Sequence, residues 1–189
     1  MNKINAVKFE KTLLLIGGGD LNWPLLSSLL NKGLPLVAAD GGANTLADYG
    51  VTPDMIIGDL DSLDTRAQRE ERTRILEISE QDTTDFEKCL YATDAPLYLA
   101  FGFLGKRFDH SLATLHSLVK YRAQKRIVLV DLVDMIWTPP PAEIFEIDLP
   151  PGTRFSIYPL EPVTFETSQG IEYPLDGLTL KQGATIGTS

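Results

Sequence analysis

A chain of 189 residues with 43% hydrophobic content can bury a sizeable core without staples, as one large or two small domains. Its formal net charge is −9, from 26 acidic against 17 basic residues, which argues against duplex nucleic-acid binding because that leans on clustered Lys and Arg. One cysteine, Cys89, excludes an internal disulfide framework, and two histidines, His110 and His116, make a histidine-rich metal site implausible. No apolar run approaches the roughly 20 residues that a membrane span needs. Met1 to Lys11 is polar and mixed in charge, unlike a secretory signal, so a cytoplasmic location is the expectation.

Up to about Leu132 the pattern is strand, turn, helix, repeated. Thr12 to Ile16 is an apolar run ending in Gly17-Gly18-Gly19-Asp20, and Leu21 to Leu30 then carries leucines at helical spacing. Leu34 to Ala39 is a second apolar run, ending in Asp40-Gly41-Gly42-Ala43-Asn44. Asp54 to Ile57 is a third, ending in Gly58-Asp59-Leu60-Asp61-Ser62. Arg74 to Ile78 reads as a strand, Asp82 to Thr93 as a helix, and Leu97 to Phe101 as a strand entering a glycine turn. Asp109 to Tyr121 reads as a helix with Leu112, Leu115, His116 and Val119 on one face, and Ile127 to Leu132 is again wholly apolar. Short apolar strands alternating with helices predict an open, mainly parallel sheet flanked by helices, an α/β domain over residues 1–137. Thr138-Pro139-Pro140-Pro141 is a stiff connector. Beyond it, Glu143 to Asp148, Thr153 to Leu160, Val163 to Thr167, Glu172 to Leu175 and Leu178 to Leu180 predict a small all-β, sandwich-like domain over 138–189. The chain stops just after a turn signal, so this β-domain reads as C-terminally incomplete.

In an open parallel sheet, ligands bind beyond the carboxyl ends of the strands, where these polar clusters fall. Backbone N–H groups of Gly17 to Asp20 could receive phosphate or ribose oxygens, or form no more than a tight turn. Asp40-Gly41-Gly42 lets a ligand approach the backbone closely, or caps a helix through Asp40 or Asn44. Asp59 and Asp61, two apart at a strand end, leave on the same side; like charges held that close call for a hard cation such as Mg²⁺, unless the segment is an acidic turn in solvent. In Gln81-Asp82-Thr83-Thr84-Asp85-Phe86-Glu87-Lys88, Thr84 with Glu87 matches a capping box. A nucleotide site with a metal would use the same segment differently, with Asp85 on the ion and Lys88 on a phosphate. After Gly102, Arg107 offers a planar fork suited to phosphate. Asp109 is a metal ligand, a general base or a helix N-cap, His110 a hydrogen-bonding group, and His116 a satisfied core residue. Cys89 reads as a half-buried structural thiol. The carboxylates at 40, 59, 61, 82, 85 and 109 should converge on one rim, which supports metal-assisted phosphoryl-type transfer or hydrolysis without naming the acceptor.

Taken in order, Ala39-Asp40-Gly41-Gly42-Ala43-Asn44, Gly58-Asp59-Leu60-Asp61-Ser62, Gln81 to Lys88 and Gly105-Lys106-Arg107-Phe108-Asp109-His110 closely resemble the thiamin pyrophosphokinase family. The resemblance covers about residues 13 to 120. It implies transfer of the β,γ-diphosphate of ATP to the hydroxyl of thiamin, with Mg²⁺, by a homodimer that holds thiamin between subunits. It implies a metal site of Asp59, Asp61 and Asp85, with Asp40 and Asp82 close by. The nucleotide and phosphate contacts it implies are Gln81, Thr84, Lys88 and Arg107, which join Gly18, Asp40, Gly41, Asn44 and His110 as candidate nucleotide-site residues. Asp109 would lie beside the reacting groups, and Thr188 and Ser189 would border thiamin. The family usually has Gly where Lys106 stands and Asn where Thr114 stands. The rivals are a Mg²⁺-dependent phosphotransferase or nucleotide hydrolase with another acceptor, and a non-catalytic nucleotide or thiamin sensor.

Overall fold

The structure, a computed structural model, describes residues 5–64, 72–139 and 144–188. The chain forms two compact units, 1–143 and 144–189.

In the first unit, β1 (Val7–Lys8) pairs in parallel with β6 (Thr93–Asp94). The main sheet contains β2 (Leu13–Ile16), β3 (Leu36–Ala39), β4 (Met55–Gly58), β5 (Arg74–Glu77), β7 (Tyr98–Phe101), β8 (Ile127–Val130) and β9 (Met135–Trp137). Among the described residues its order is β5-β4-β3-β2-β7-β8-β9. Every pairing is parallel except β8 with β9. The helices are α1 (Trp23–Leu30), α2 (Gly42–Asp48), α3 (Asp85–Ala92) and α4 (Phe108–Tyr121).

Both faces of this sheet are covered, which is why its central strands read as unbroken apolar runs. Alternation sends Leu13 and Leu15 of β2, with Val37, Ala39, Met55 and Ile57, toward Phe86 and Leu90 of α3 and Leu118 of α4. Leu14 and Ile16, with Leu36, Ala38 and Ile56, pack on the opposite face against Leu26 of α1 and Leu46 of α2. Each fully buried Leu or Ile contributes about 1.5–3 kcal/mol, so these two layers hold the strand ends rigid. The chain moves outward from β2 through β3, β4 and β5, then crosses to β7 and β8 on the other side of β2. That reversal opens a crevice at the carboxyl ends of β2 and β7.

Three sequence expectations are corrected here. Helix α4 turns Thr114, Ser117, Leu118 and Tyr121 inward, and leaves Leu112 and His116 exposed, so His116 is not a core residue. Two polar residues replace leucines on the buried face; Thr114 donates to Phe103 O at 3.2 Å and Ser117 to Ala113 O at 3.1 Å. Asp109 is not the helix N-cap: Arg107 holds that position and Asp109 lies in the first turn. Cys89 is fully buried rather than half-buried, in the apolar layer between α3 and the sheet.

In the second unit, β10 (Val163–Thr164) and β11 (Thr179–Leu180) pair antiparallel, and Ile157 bridges Gly187. The turn between β10 and β11 is closed by Asp176, which accepts from Ser168 N and Ser168 Oγ, while Ser168 Oγ accepts from Leu175 N. The described parts of Glu143 to Asp148 and of Glu172 to Leu175 form no strand. Their alternation gave a period but no partner strand.

Candidate active site

Asp40 follows β3, and the pair Asp59 and Asp61 follows β4. These adjacent parallel strands bring one carboxylate oxygen from each of the three aspartates within 4.8 Å of one another. Gly58 makes the approach possible, since a Cβ there would lie 2.7 Å from Asp40 Cβ. The backbone is strained around the cluster. Among the described residues the non-glycine positions of positive φ are Asp40 (36°), Leu60 (66°) and Lys106 (43°), all on this rim. Strain of this kind persists where the surroundings hold it, and it concentrates at functional sites.

Asp40 is buried, and its Oδ1 has no hydrogen-bond partner among the described residues. Burial pushes its pKa up; the Ser62 hydroxyl offsets this in part, and the charges of Asp85, Asp59 and Asp61 push it further up. A buried, orphaned carboxylate oxygen beside two more carboxylates fits a hard divalent cation, which takes oxygen ligands and cancels the repulsion. The donor set is all oxygen, as Mg²⁺ prefers.

Asp59 differs from Asp40 in its partners. Gln81 Nε2 donates to its Oδ2 at 2.7 Å, and Lys88 Nζ lies 3.4 Å from the same oxygen. The Gln81 bond, with help from Lys88, holds the Asp59 carboxyl below its usual range. Lys88 is buried and also donates to Asp85 Oδ1 at 3.2 Å. Burial alone would lower its pKa, but Asp85 and Asp59 outweigh that and raise it, so the ammonium stays charged. Asp85, paired with Lys88, is not among the three converging carboxylates. Burial raises its pKa, against the pull of Lys88. Asp82 is exposed and is not part of the metal-type cluster either.

Thr84 caps α3, its hydroxyl accepting from Glu87 N at 3.3 Å. The expected box closes on one side, because the Glu87 carboxylate instead receives Lys120 and Tyr121 of α4. Asn44 turns both polar atoms to the loop after β4, donating to Ser62 O at 2.6 Å and accepting from Asp64 N at 2.9 Å. It therefore supports the Asp59–Asp61 segment. Gly18 and Gly41 come together, since a Cβ on Gly18 would sit 3.7 Å from the Gly41 carbonyl carbon. The turn carrying Gly18 is stitched to the one after β7, with Gly17 N donating to Phe101 O and Gly19 N to Gly102 O, each at 2.8 Å. Lys106 Nζ donates to Gly18 O at 2.9 Å.

Arg107 and Asp109 form a two-point pair at 3.2 and 2.6 Å, both exposed. The guanidinium holds the Asp109 carboxyl below its usual range. That makes Asp109 a poorer proton acceptor and a better holder of Arg107. His110 is exposed in the first turn of α4. Thr188 is exposed beside the Ile157–Gly187 bridge, in the second unit, and Ser189 lies outside the described residues. Sequence reasoning missed Glu80, whose carboxylate ties the loop before α3. It also missed Ser62, whose hydroxyl donates to Asp61 Oδ1 at 2.9 Å. Glu80 carried a signal only in retrospect: an acid just past a strand, two and three residues ahead of unpaired N–H groups.

Residues 26–130 match the family model for the catalytic domain of thiamin pyrophosphokinase, over half of the chain. The chain belongs to the thiamin pyrophosphokinase family. Among relatives, thiamine pyrophosphokinase of Bacillus subtilis is 29% identical over 187 residues, spanning 93% of this chain and 87% of that protein. Thiamine pyrophosphokinase 1 of Oryza sativa is 30% identical over 185 residues, spanning 81% and 70%. The crystal structure of the Bacillus subtilis thiamine pyrophosphokinase shares 26% identity and superposes with a TM-score of 0.77, covering 95% of this chain and 88% of that one. Yeast thiamin pyrophosphokinase superposes with a TM-score of 0.79 at 20% identity, covering 100% and 86%, which speaks to the fold alone.

Proposed function

We propose that this family member is an ATP:thiamin diphosphotransferase, moving the β,γ-diphosphate of ATP to the thiamin hydroxyl and releasing AMP. The observation that carries the reading is the convergence of Asp40, Asp59 and Asp61, together with a buried Asp40 Oδ1 that has no hydrogen-bond partner among the described residues. These three residues would hold Mg²⁺. When bound, the ion neutralises the polyphosphate and the charge that develops on it.

The chain's own residues supply position and charge. Gln81 and Lys88 keep Asp59 ionised and fixed in direction. Lys88, itself kept charged by Asp85, adds a buried positive charge next to the carboxylate cluster. Arg107, exposed and held in plane by Asp109, presents a fork suited to phosphate oxygens. The paired glycine turns at Gly18 and Gly41 leave backbone room for the nucleotide. The accompanying proposals are a homodimer in the cytoplasm, with Thr188 and Ser189 bordering thiamin.

The test is AMP release by the purified chain given ATP and Mg²⁺, with and without thiamin. AMP formed only when both thiamin and Mg²⁺ are present supports the reading. AMP formed at the same rate without thiamin overturns it in favour of nucleotide hydrolysis.

A further inference from the structure

The loop from Ser79 to Thr84 joins β5 to α3 and carries Gln81, the residue that touches Asp59. At its start, Ile78 N donates to Gly58 O at 2.7 Å, tying the end of β5 to the end of β4. At its finish, Thr84 caps α3. Between these anchors the backbone has no ladder to join, so its N–H groups need side-chain or solvent partners. Glu80 supplies them. Its Oε2 accepts from Asp82 N at 2.7 Å and from Thr83 N at 3.1 Å, and its Oε1 accepts from the Thr83 hydroxyl. The hydroxyl of Tyr91, nearly two turns along α3, donates to the same Oε1 at 2.8 Å.

We propose that Glu80, braced by Tyr91, is a positioning residue for the acidic cluster: it sets the loop geometry that delivers Gln81 Nε2 to Asp59 Oδ2. The proposal rests on the reading of Asp59 as a cation-holding carboxylate. Glu80 does not reach the cluster itself; its effect passes through Gln81. Burial would raise the pKa of Glu80, but Thr83, Tyr91 and the two backbone donors outweigh it, so the brace is a charged acceptor with four donors around it. Tyr91, beside that charge and half-buried, is pushed well above its ordinary value and keeps its proton to donate.

The experiment measures binding of Mn²⁺, as a stand-in for Mg²⁺, by electron paramagnetic resonance on the full chain, alongside turnover with ATP and thiamin. The variants are Glu80→Gln, Tyr91→Phe, Gln81→Ala and the double variant Glu80→Gln/Gln81→Ala. Glu80→Gln keeps the side-chain shape but turns one acceptor into a donor facing N–H groups. Outer partners of metal ligands are typically worth 10–100-fold in affinity, so Mn²⁺ should bind about 10–100-fold more weakly. Tyr91→Phe, which keeps its ring packing and removes one hydroxyl, should shift binding in the same direction by less. In the Gln81→Ala background, Glu80→Gln should add little, because both act on the same bond.

Wild-type Mn²⁺ affinity in folded Glu80→Gln and Tyr91→Phe proteins overturns the positioning role and leaves the proposed function standing. Fully additive losses in the double variant also overturn it, since Glu80 would then act by a route that bypasses Gln81. Mn²⁺ binding that weakens in the variants, in a wild-type chain that makes no thiamin diphosphate, supports the positioning role while the proposed function fails.

Discussion

Replacing Asp40 by Asn separates stability from activity. The side chain is buried, one of its oxygens has no partner among the described residues, and three nearby carboxylates raise its pKa after burial has done so. Leaving a buried polar group unsatisfied costs about 1–3 kcal/mol, and more for a charged one. Asn has the same shape, carries no charge, and offers an N–H₂ donor to the carboxylates around it. It also tolerates the positive φ of 36° at this position better than most residues do. In the absence of divalent cations, Asp40→Asn should therefore gain about 1–2 kcal/mol. For a domain of this size about 1 kcal/mol moves Tm by roughly 2–4 °C, so the expected rise is about 2–8 °C. Turnover should fall at the same time by at least about 10²-fold, the scale for losing one key electrostatic group. The upward Tm shift on adding Mg²⁺ should shrink. Thermal melts with and without Mg²⁺, together with the AMP assay, read all three. A variant that melts lower than wild type without metal, and still turns over normally, would refute the assignment of Asp40 to a cation site.

The opposite sign is expected at Lys88. Lys88→Met fills the same buried space but leaves Asp59 and Asp85 without their cation; breaking a fully buried pair costs about 3–5 kcal/mol, and the 40% exposure of the Asp85 side chain brings the expectation to about 2–3 kcal/mol, read as a lower urea midpoint. An unchanged midpoint would mean that solvent already screens the pair. Gly58→Ala should cut Mg²⁺-dependent turnover while leaving secondary structure by circular dichroism intact, because its Cβ would sit 2.7 Å from Asp40 Cβ and push that carboxylate out of the cluster. Full activity in the Ala variant would show that Asp40 has room to move. The pH dependence follows from two opposed groups of acids. Asp40 and Asp85 have raised folded values, so the stability they lend is present below the ordinary carboxylate pKa and is lost as pH rises through the folded values. Asp59 and Glu80 have lowered folded values, so their contribution is full above the ordinary value and is lost as pH falls through the folded ones. A cation needs all its carboxylates ionised, so the Tm increment from Mg²⁺ should grow from acidic to neutral pH; a constant increment across that range counts against a carboxylate site.

The sheet was legible because its signal is local. Runs such as Leu13–Ile16 and Met55–Gly58 are buried on both faces, the pattern that the strands of a covered parallel sheet carry. What escaped had no such pattern. Helix α2 is seven residues long, begins beside paired glycines and has no side-chain cap. Strand β9 is a short, half-exposed antiparallel edge, placed by its partner β8 rather than by its own composition. In α4, Leu112, Leu115, His116 and Val119 at helical spacing suggested the wrong inner face, because Thr114 and Ser117 hide their hydroxyls by bonding to nearby carbonyls. At the site, residue types and strand ends pointed to six acids, of which Asp40, Asp59 and Asp61 gather within ligand distance of one another. Those signals could not tell Asp85, which is spoken for by Lys88, from Asp40, which has no ion-pair partner among the described residues. That distinction depends on distances across three elements.

The difference between those two acids explains the layout of the rim. Lys88 is a single buried charge, and its ion pairs go to Asp59 and Asp85. Asp40 and Asp61 have no ion-pair partner among the described residues, although they adjoin Asp59. A second lysine beside them would pair their charges and compete with a metal for the cluster. Leaving them unpaired keeps a repulsion among the carboxylates that the proposed divalent cation would relieve. Gln81, beside Lys88, holds Asp59 in direction, and the neutral Ser62 hydroxyl does the same for Asp61 without adding charge. Lys88 thus serves Asp59 and Asp85, while Asp61 is held by the uncharged Ser62 and Asp40 has no paired cation among the described residues, an arrangement that favours the proposed binding of an ion with a polyphosphate.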